Sequence, residues 1–258
     1  MRFKDQVAIV TGSGRGIGRA ALLGFAREGA KVVVNDVDEA PAKEVLREVE
    51  AAGGQGIACP GSVTDRAAVK RMVDDAVAAF GTVDILVNNA AVLITAMLPK
   101  MTEEQWDRCI DIDLKGVFNC LQAVAPVFMQ RGEQNPTAKC NGKVVSVTSV
   151  AGLRGTIGSI NYAAAKAGVI GITMSAAKEW GRYRVNVNAV AFGIVETRMT
   201  EAIRGTPKIK ELYEQQTLMG YFATPEEVAP TILFLASADA NYITGHVLNV
   251  TGGLHIGF

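Results

Sequence analysis

Short β-branched runs alternate with longer amphipathic segments along almost the whole chain, and this alternation limits the fold more than any other feature. Most of the runs are continuously apolar, which is typical of strands buried on both faces of a parallel sheet. They predict strands at residues 7–11, 31–36, 56–59, 85–87, 143–148, 185–189 and 247–250. The segments between them predict helices at residues 17–28, 39–52, 65–80, 102–130, 161–181 and 225–237.

This rhythm predicts an α/β fold with a doubly wound, mostly parallel sheet of about seven strands. We interpret residues 1–258 as one domain, because the sequence contains no internal repeat and no low-complexity linker. Two segments interrupt the rhythm. Residues 131–141 are polar and predict a surface loop, whereas residues 194–223 are partly helical and follow a strand. Ligands of such sheets bind beyond the carboxyl ends of the strands, so we expect residues 194–223 to form a substrate lid.

Charge and composition exclude several classes of protein. Lysine plus arginine equals aspartate plus glutamate, at 26 each, so no basic excess indicates a nucleic-acid partner or a membrane surface. No apolar run approaches the ~20 residues of a membrane span, and the N-terminus does not resemble a signal peptide. The cysteines lack the spacing of a metal site, which indicates free thiols in a reducing cytoplasm; they are Cys59, Cys109, Cys120 and Cys140.

Histidine, the commonest general base and metal ligand, is nearly absent. The two histidines, His246 and His255, both lie close to the C-terminus. Their position argues against a Ser-His-Asp hydrolase and against a zinc-dependent dehydrogenase. The chemistry is therefore expected to use another proton carrier and no metal.

A glycine-rich turn lies between the first predicted strand and the first predicted helix. Such a turn can bring backbone N–H groups onto a pyrophosphate at the N-terminus of the helix. The alternative is a tight strand-to-helix turn without a ligand. The residues of this candidate cofactor site are Gly12, Ser13, Arg15, Gly16, Ile17 and Gly18.

An acidic residue, Asp36, ends the second predicted strand. A carboxylate there can accept hydrogen bonds from the adenosine ribose and repels the 2′-phosphate of NADP. The alternative role is a turn or helix cap. Arg15 could attract a 2′-phosphate, but Val37 adds no second positive charge. The sequence therefore favours NAD(H), with NADP(H) as the alternative.

The strongest catalytic signal is the pair Tyr162 and Lys166, which share one face of a predicted helix. A tyrosine is a poor base at neutral pH, but a neighbouring ammonium favours the phenolate and lowers its pKa. The pair can then exchange a proton with a substrate oxygen. Ser149, at the end of the fifth strand, can donate a hydrogen bond to the same oxygen. A structural pair of helix neighbours is the alternative interpretation.

Together, these motifs resemble the short-chain dehydrogenase/reductase family over essentially the whole chain. The motifs are the turn at residues 11–18, Asn88-Asn89-Ala90, Ser149, Tyr162, Lys166, and Asn188, Gly193 and Thr197. The resemblance implies a Rossmann-like three-layer fold and a homodimer or homotetramer. It also implies that Asn89 and Ala90 flank the cofactor and that Lys166 bonds the nicotinamide ribose. Further cofactor contacts are implied for Ser62, Val63, Ile194, Val195 and Thr197.

The chain departs from the family pattern at several positions. The fourth catalytic residue of the family is an asparagine, and Asp113 stands at that position. Aspartate adds a negative charge next to the expected Tyr–Lys pair. Two further departures are Ala91 in place of a glycine and Ser62 in place of an aspartate.

The leading hypothesis is an NAD-dependent oxidoreductase that acts on a ketone, a secondary alcohol or a 3-oxoacyl or 3-hydroxyacyl substrate. One alternative within the family is an NADPH-dependent 3-oxoacyl-(acyl-carrier-protein) reductase. A second alternative is a cofactor-binding scaffold without activity, which the three departures favour. Ser149, Tyr162 and Lys166 argue against that scaffold.

Overall fold

The computed structural model describes residues 1–257 and contains one seven-stranded sheet in the order β3-β2-β1-β4-β5-β6-β7. All neighbouring strands are parallel, which confirms the predicted doubly wound α/β sheet. The strands are β1 (Val7–Val10), β2 (Lys31–Val34), β3 (Gln55–Ala58), β4 (Ile85–Asn88), β5 (Gly142–Ser149), β6 (Val185–Phe192) and β7 (Val247–Val250).

Helices cover both faces of the sheet and bury the β-branched strand residues in two apolar clusters, so the three-layer sandwich is also confirmed. Helices α1, α2 and α10 pack on one face, and α3, α5 and α7 pack on the other. The α-helices are α1 (Gly16–Arg27), α2 (Glu39–Ala51), α3 (Arg66–Phe80), α4 (Glu103–Ile110), α5 (Gly116–Gln134), α6 (Val150–Arg154), α7 (Ile160–Trp180), α8 (Glu201–Arg204), α9 (Pro207–Gln216) and α10 (Pro225–Ala236).

The strand order reverses at β1. The chain builds the sheet from β1 towards β3, then returns to place β4 on the other side of β1 and continues to β7. The loops that follow β1 and β4 therefore leave the sheet in opposite directions and open a crevice between them. Ligands of doubly wound sheets bind in this crevice.

The helix predicted at residues 102–130 is interrupted. A π-helical turn, Asp111–Lys115, separates α4 from α5, and α5 continues to Gln134, so the first residues of the predicted loop at 131–141 are helical. The stretch Glu103–Gln134 is long and apolar enough to cross a bilayer by length and composition alone, but it is a core helix. Val124 and Phe128, for example, are fully buried against the sheet.

Several strand ends differ from the prediction. The predicted strands at 7–11 and 31–36 end one and two residues earlier, because Thr11, Asn35 and Asp36 are buried but belong to the loops that follow the strands. Strand β5 extends through Ser149, as expected for a serine that ends this strand. Periodicity does not separate the last residue of a strand from the first residue of its loop when both are buried.

The predicted lid at residues 194–223 leaves the sheet after β6 and returns to it. It contains α8 and α9, and its ends pair through a bridge between Val195 and Ala223. Thr224 then caps the N-terminus of α10, because its side chain accepts a hydrogen bond from the Glu227 amide at 3.3 Å. The role of residues 194–223 as a substrate lid stays a prediction.

The fold predicts a large difference between two leucine truncations. Leu22 lies on α1 and is fully buried, whereas Leu212 lies on α9 and is 51% exposed. We expect Leu22→Ala to lower the free energy of unfolding by about 2–5 kcal/mol, because it leaves a cavity in the core. The matched control Leu212→Ala should change it by less than about 0.5 kcal/mol. Urea unfolding followed by circular dichroism measures both; equal effects would contradict the packing described.

Candidate active site

A cleft of about 890 Å³ lies at the carboxyl ends of the strands, beside the reversal point. Most of the predicted site residues line it, namely Gly12, Arg15, Gly16, Ile17, Asp36, Ser62, Val63, Asn89, Ala90, Ser149, Tyr162, Lys166, Val195 and Thr197. Four others are not part of its lining: Ser13, Gly18, Ile194 and Asp113. The structure thus brings together residues that are far apart in the sequence.

The glycine turn brings bare backbone to the cleft wall. Gly12 and Gly16 have φ angles of 61° and 56°, a conformation that other residues rarely adopt. A Cβ atom on Gly12 would also lie 2.8 Å from the Ala90 Cα atom. Gly18 supports the turn from behind, since a Cβ there would collide with the carbonyl oxygen of Gly12. Ser13 is buried, and its hydroxyl donates to the Asn35 carbonyl at 3.3 Å.

Hydrogen bonds join the ends of β1 and β4 and fix the turn. The Thr11 hydroxyl accepts the amides of Asn89 and Ala90 at 3.0 and 3.1 Å. The Asn89 side chain donates to the carbonyls of Thr11 and Gly12 at 2.9 and 3.0 Å. Asn89 therefore holds the glycine turn in addition to facing the cleft.

The acidic residue after β2 is held by backbone amides. Asp36 accepts the Gly14 amide at 3.0 Å and the Asp38 amide at 3.1 Å, so it also has the turn-capping role considered as its alternative. The Arg15 guanidinium forms an ion pair with Asp38 at 2.6 Å. This side of the cleft therefore has two carboxylates and one guanidinium.

The predicted catalytic side chains converge at the other end of the cleft. Ser149 ends β5 and caps α6, with its hydroxyl accepting the Ala151 amide at 3.2 Å. Tyr162 and Lys166 lie on α7, and the lysine Nζ atom is 5.5 Å from the centre of the tyrosine ring. The Val147 carbonyl accepts a hydrogen bond from Lys166 at 3.1 Å. These contacts place an ammonium beside a phenol and a hydroxyl.

Asp113 lies directly behind this group, in the π-helical turn. Its Oδ2 atom is 3.5 Å from the Lys166 Nζ atom, and both side chains are almost completely buried. Its Oδ1 atom accepts the Val92 amide at 2.8 Å. Asp113 therefore contacts the lysine and also accepts a hydrogen bond from a backbone amide.

Comparison with known proteins agrees with this geometry. A family model described as enoyl-(acyl carrier protein) reductase matches residues 12–255. The chain belongs to the short-chain dehydrogenase/reductase family. It is therefore an NAD(P)-dependent oxidoreductase that acts on CH–OH groups.

Three relatives are named 3-oxoacyl-(acyl-carrier-protein) reductase. One, from Thermotoga maritima, is 42% identical over 256 residues, or 99% of this chain and 100% of the relative. One from Staphylococcus aureus strain Mu50 is 40% identical over 250 residues, or 96% and 98%. One from Synechocystis is 41% identical over 251 residues, or 96% of each chain. The similarity thus extends over nearly the full length of each protein.

The residues present fit the dinucleotide cofactor of the family. The cleft is lined by bare glycine backbone at the N-terminus of α1, where a pyrophosphate binds in such folds. A side chain on Gly12 would have no room there. The sheet therefore offers a shaped site for a dinucleotide at its reversal point.

Burial and charge set the ionisation of the catalytic group. Desolvation raises the pKa of Tyr162 above its usual value, and Lys166 only partly opposes this rise, while Asp113 adds to it. Burial alone would lower the pKa of Lys166, but the charges of Asp113 and Tyr162 together raise it. Burial also raises the pKa of Asp113, against the effect of Lys166. The tyrosine is therefore protonated at neutral pH in the free enzyme.

Sequence reasoning missed several lining residues. Arg108 lies near the end of α4 and Ile112 lies in the π-helical turn, which periodicity does not reveal. Thr148 was taken only as a strand residue, yet its hydroxyl donates to the Lys166 carbonyl at 2.7 Å. Its place one residue before Ser149 was an available signal.

Replacing the buried carboxylate of Asp113 is expected to change the pH dependence of alcohol oxidation. Asp113→Asn keeps the side-chain shape but removes the negative charge, so the pKa values of Tyr162 and Lys166 should fall. Alcohol oxidation needs the phenolate, so its pH profile should move to lower pH and its rate at neutral pH should rise severalfold.

The control for this variant is Asp111→Asn, which removes an exposed carboxylate two residues away that pairs with Lys115. It should leave the profile unchanged. Because the ionisable groups are coupled, the profile reports the whole cluster rather than one residue. An Asp113→Asn profile identical to that of the unmodified enzyme would mean that Asp113 serves only to hold the Val92 amide.

Proposed function

We propose that this protein reduces 3-oxoacyl thioesters carried by an acyl carrier protein in the cytoplasm. The observation that carries the proposal is the cluster of Ser149, Tyr162 and Lys166 at one end of a cleft whose substrate side contains apolar side chains. Leu93, Ile94 and Met199 belong to that side. The names of the three full-length relatives support the acyl substrate.

In the proposed reaction, the side chains polarise a ketone and move one proton. Ser149 donates a hydrogen bond to the ketone oxygen, and the Tyr162 hydroxyl gives its proton to the same oxygen. The Lys166 ammonium stabilises the phenolate that remains. The bound nicotinamide cofactor supplies the hydride. Because Tyr162 has a raised pKa, it holds its proton at neutral pH, which suits reduction.

The cofactor we propose is NAD(H). Asp36 faces the cleft where the adenosine ribose is expected, and its carboxylate is fixed by two backbone amides. Arg15, the cation that could attract a 2′-phosphate, is already paired with Asp38. A 2′-phosphate would therefore meet net negative charge.

Assembly as a homodimer or homotetramer stays a prediction from family membership. Exposed apolar side chains support it: Phe118 on α5 and Met174 on α7 are about half exposed. These helices lie on the same face of the sheet.

Removing the tyrosine hydroxyl tests the proposed reaction. Tyr162→Phe should lower kcat for a 3-oxoacyl thioester by at least about 10²-fold, because it removes the transferred proton. Cofactor binding, which the quenching of protein fluorescence measures, should persist. Turnover within a few-fold of the unmodified enzyme would reject the assignment, and an unmodified enzyme that binds cofactor but reduces no ketone would favour the scaffold alternative.

A charge change at the ribose site tests the proposed cofactor. The unmodified enzyme should have a higher kcat/KM with NADH than with NADPH, and Asp36→Ser should reduce this ratio at least about tenfold. Glu39→Ser is the matched control, since that exposed carboxylate pairs with Lys43 outside the cleft. A preference for NADPH in the unmodified enzyme would show that Arg15 leaves Asp38 to bind the phosphate.

A further inference from the structure

Three segments of the chain contain no charged residue. They span residues 89–99, 155–165 and 215–225, eleven residues each. Charged residues make up 20% of the chain, so a segment of this length would carry about two. The middle segment contains Tyr162, and the first contains the cleft residues Leu93 and Ile94. The first two uncharged segments therefore both contribute residues to the catalytic end of the cleft.

Large apolar side chains on these segments face solvent. Ile157 is 88% exposed, Leu218 is 71% exposed and Met97 is 55% exposed. Leu98 and Met219 are also more than half exposed. Clustered exposed apolar side chains of this kind are typical of ligand-binding or interaction surfaces. We call these five residues the apolar rim.

Backbone hydrogen bonds connect the first two segments to each other and fix the third to the turn after β7. The Ala96 amide donates to the Gly158 carbonyl at 2.9 Å, which places Met97 and Ile157 on adjacent loops. The Met219 amide donates to the Gly252 carbonyl at 3.0 Å.

Arg154, at the end of α6, joins the two sides of this rim. It donates to the carbonyl of Leu254 at 3.0 Å and to the side chain of Gln216 at 3.4 Å. The loop that carries Ile157 follows Arg154 directly, and the turn that carries Leu218 follows Gln216. Arg154 therefore links the loop that carries Ile157 to the turn that carries Leu218.

We propose that the apolar rim binds the alkyl chain of a 3-oxoacyl thioester and that the enzyme favours medium-length chains over four-carbon ones. This inference rests on the proposed function. A ketone beside Tyr162 has the thioester on one side and the alkyl chain on the other. The uncharged rim gives the alkyl chain an apolar path out of the cleft. Methionine side chains suit chains of varied length because they adapt their shape.

Kinetics with a series of 3-oxoacyl-coenzyme A esters tests this inference. Full burial of one methylene group raises affinity about fourfold. Contact on one side contributes about half of the corresponding free energy, which raises affinity about twofold. We therefore expect kcat/KM to rise at least about tenfold from the four-carbon to the ten-carbon ester. Ile157→Ser and Leu218→Ser should each lower the ten-carbon value about fivefold and leave the four-carbon value within twofold.

The control variant is Tyr242→Ser, which changes a fully exposed side chain in the loop before β7. It should alter neither value. A ten-carbon to four-carbon ratio near one, or a ratio that neither rim variant changes, would overturn the inference. Rim variants that reduce the mass measured by light scattering and keep the ratio would instead identify the rim as a contact between copies of this chain.

A binding measurement separates this inference from the proposed function. Decanoyl-coenzyme A has no 3-oxo group, so its binding to the enzyme with NAD⁺, measured by calorimetry, does not depend on turnover. We expect Ile157→Ser to weaken it about fivefold relative to Tyr242→Ser. If binding depends on the apolar rim but the enzyme reduces no 3-oxoacyl ester, the proposed function is wrong and the binding of the alkyl chain by the rim stands. Equal binding by both variants would reject the rim.

Discussion

The hydrogen bonds between the ends of β1 and β4 hold together the two halves of this molecule. Asn89 donates two hydrogen bonds to Thr11, from its backbone amide and from its side chain, across the point where the strand order reverses. Without these bonds, only the pairing of β1 with β4 would hold the glycine turn beside the loop after β4. With them, the turn keeps its positive φ angles and the crevice keeps its shape. The cofactor end and the catalytic end of the cleft thus share one wall.

A second interaction, deeper in the protein, links the catalytic group to the helices. Asp113, which does not line the cleft, pairs with Lys166, and both side chains are almost completely buried. Burying two charges is costly, and the attraction between them offsets that cost only when the geometry is good. The Val92 amide and the Val147 carbonyl each supply a further hydrogen bond. The pair therefore fixes where the ammonium can lie relative to Tyr162.

Local sequence signals were sufficient for the sheet and for most of the cleft. Continuous β-branched runs identified the strands, and the spacing of Tyr162 and Lys166 gave their common helical face. The limits lay at features that depend on tertiary packing. No periodicity marks the π-helical turn that contains Asp113, the partner of Lys166. The loop after β2 is fixed by the hydrogen bonds that Asp36 accepts from backbone amides. Cofactor preference and substrate length depend on charge and exposure around the cleft, which sequence patterns only suggest.

The π-helical turn also affects how this chain can change in length. The turn accommodates one extra residue between α4 and α5, so that each helix keeps its own buried face against the core. A second extra residue there, or a deletion elsewhere in α4 or α5, would rotate one helix relative to the other by about 100°. Either Cys109 or Val124 would then leave its buried position. Insertions and deletions in this helix are therefore far more restricted than in the polar loop that follows α5.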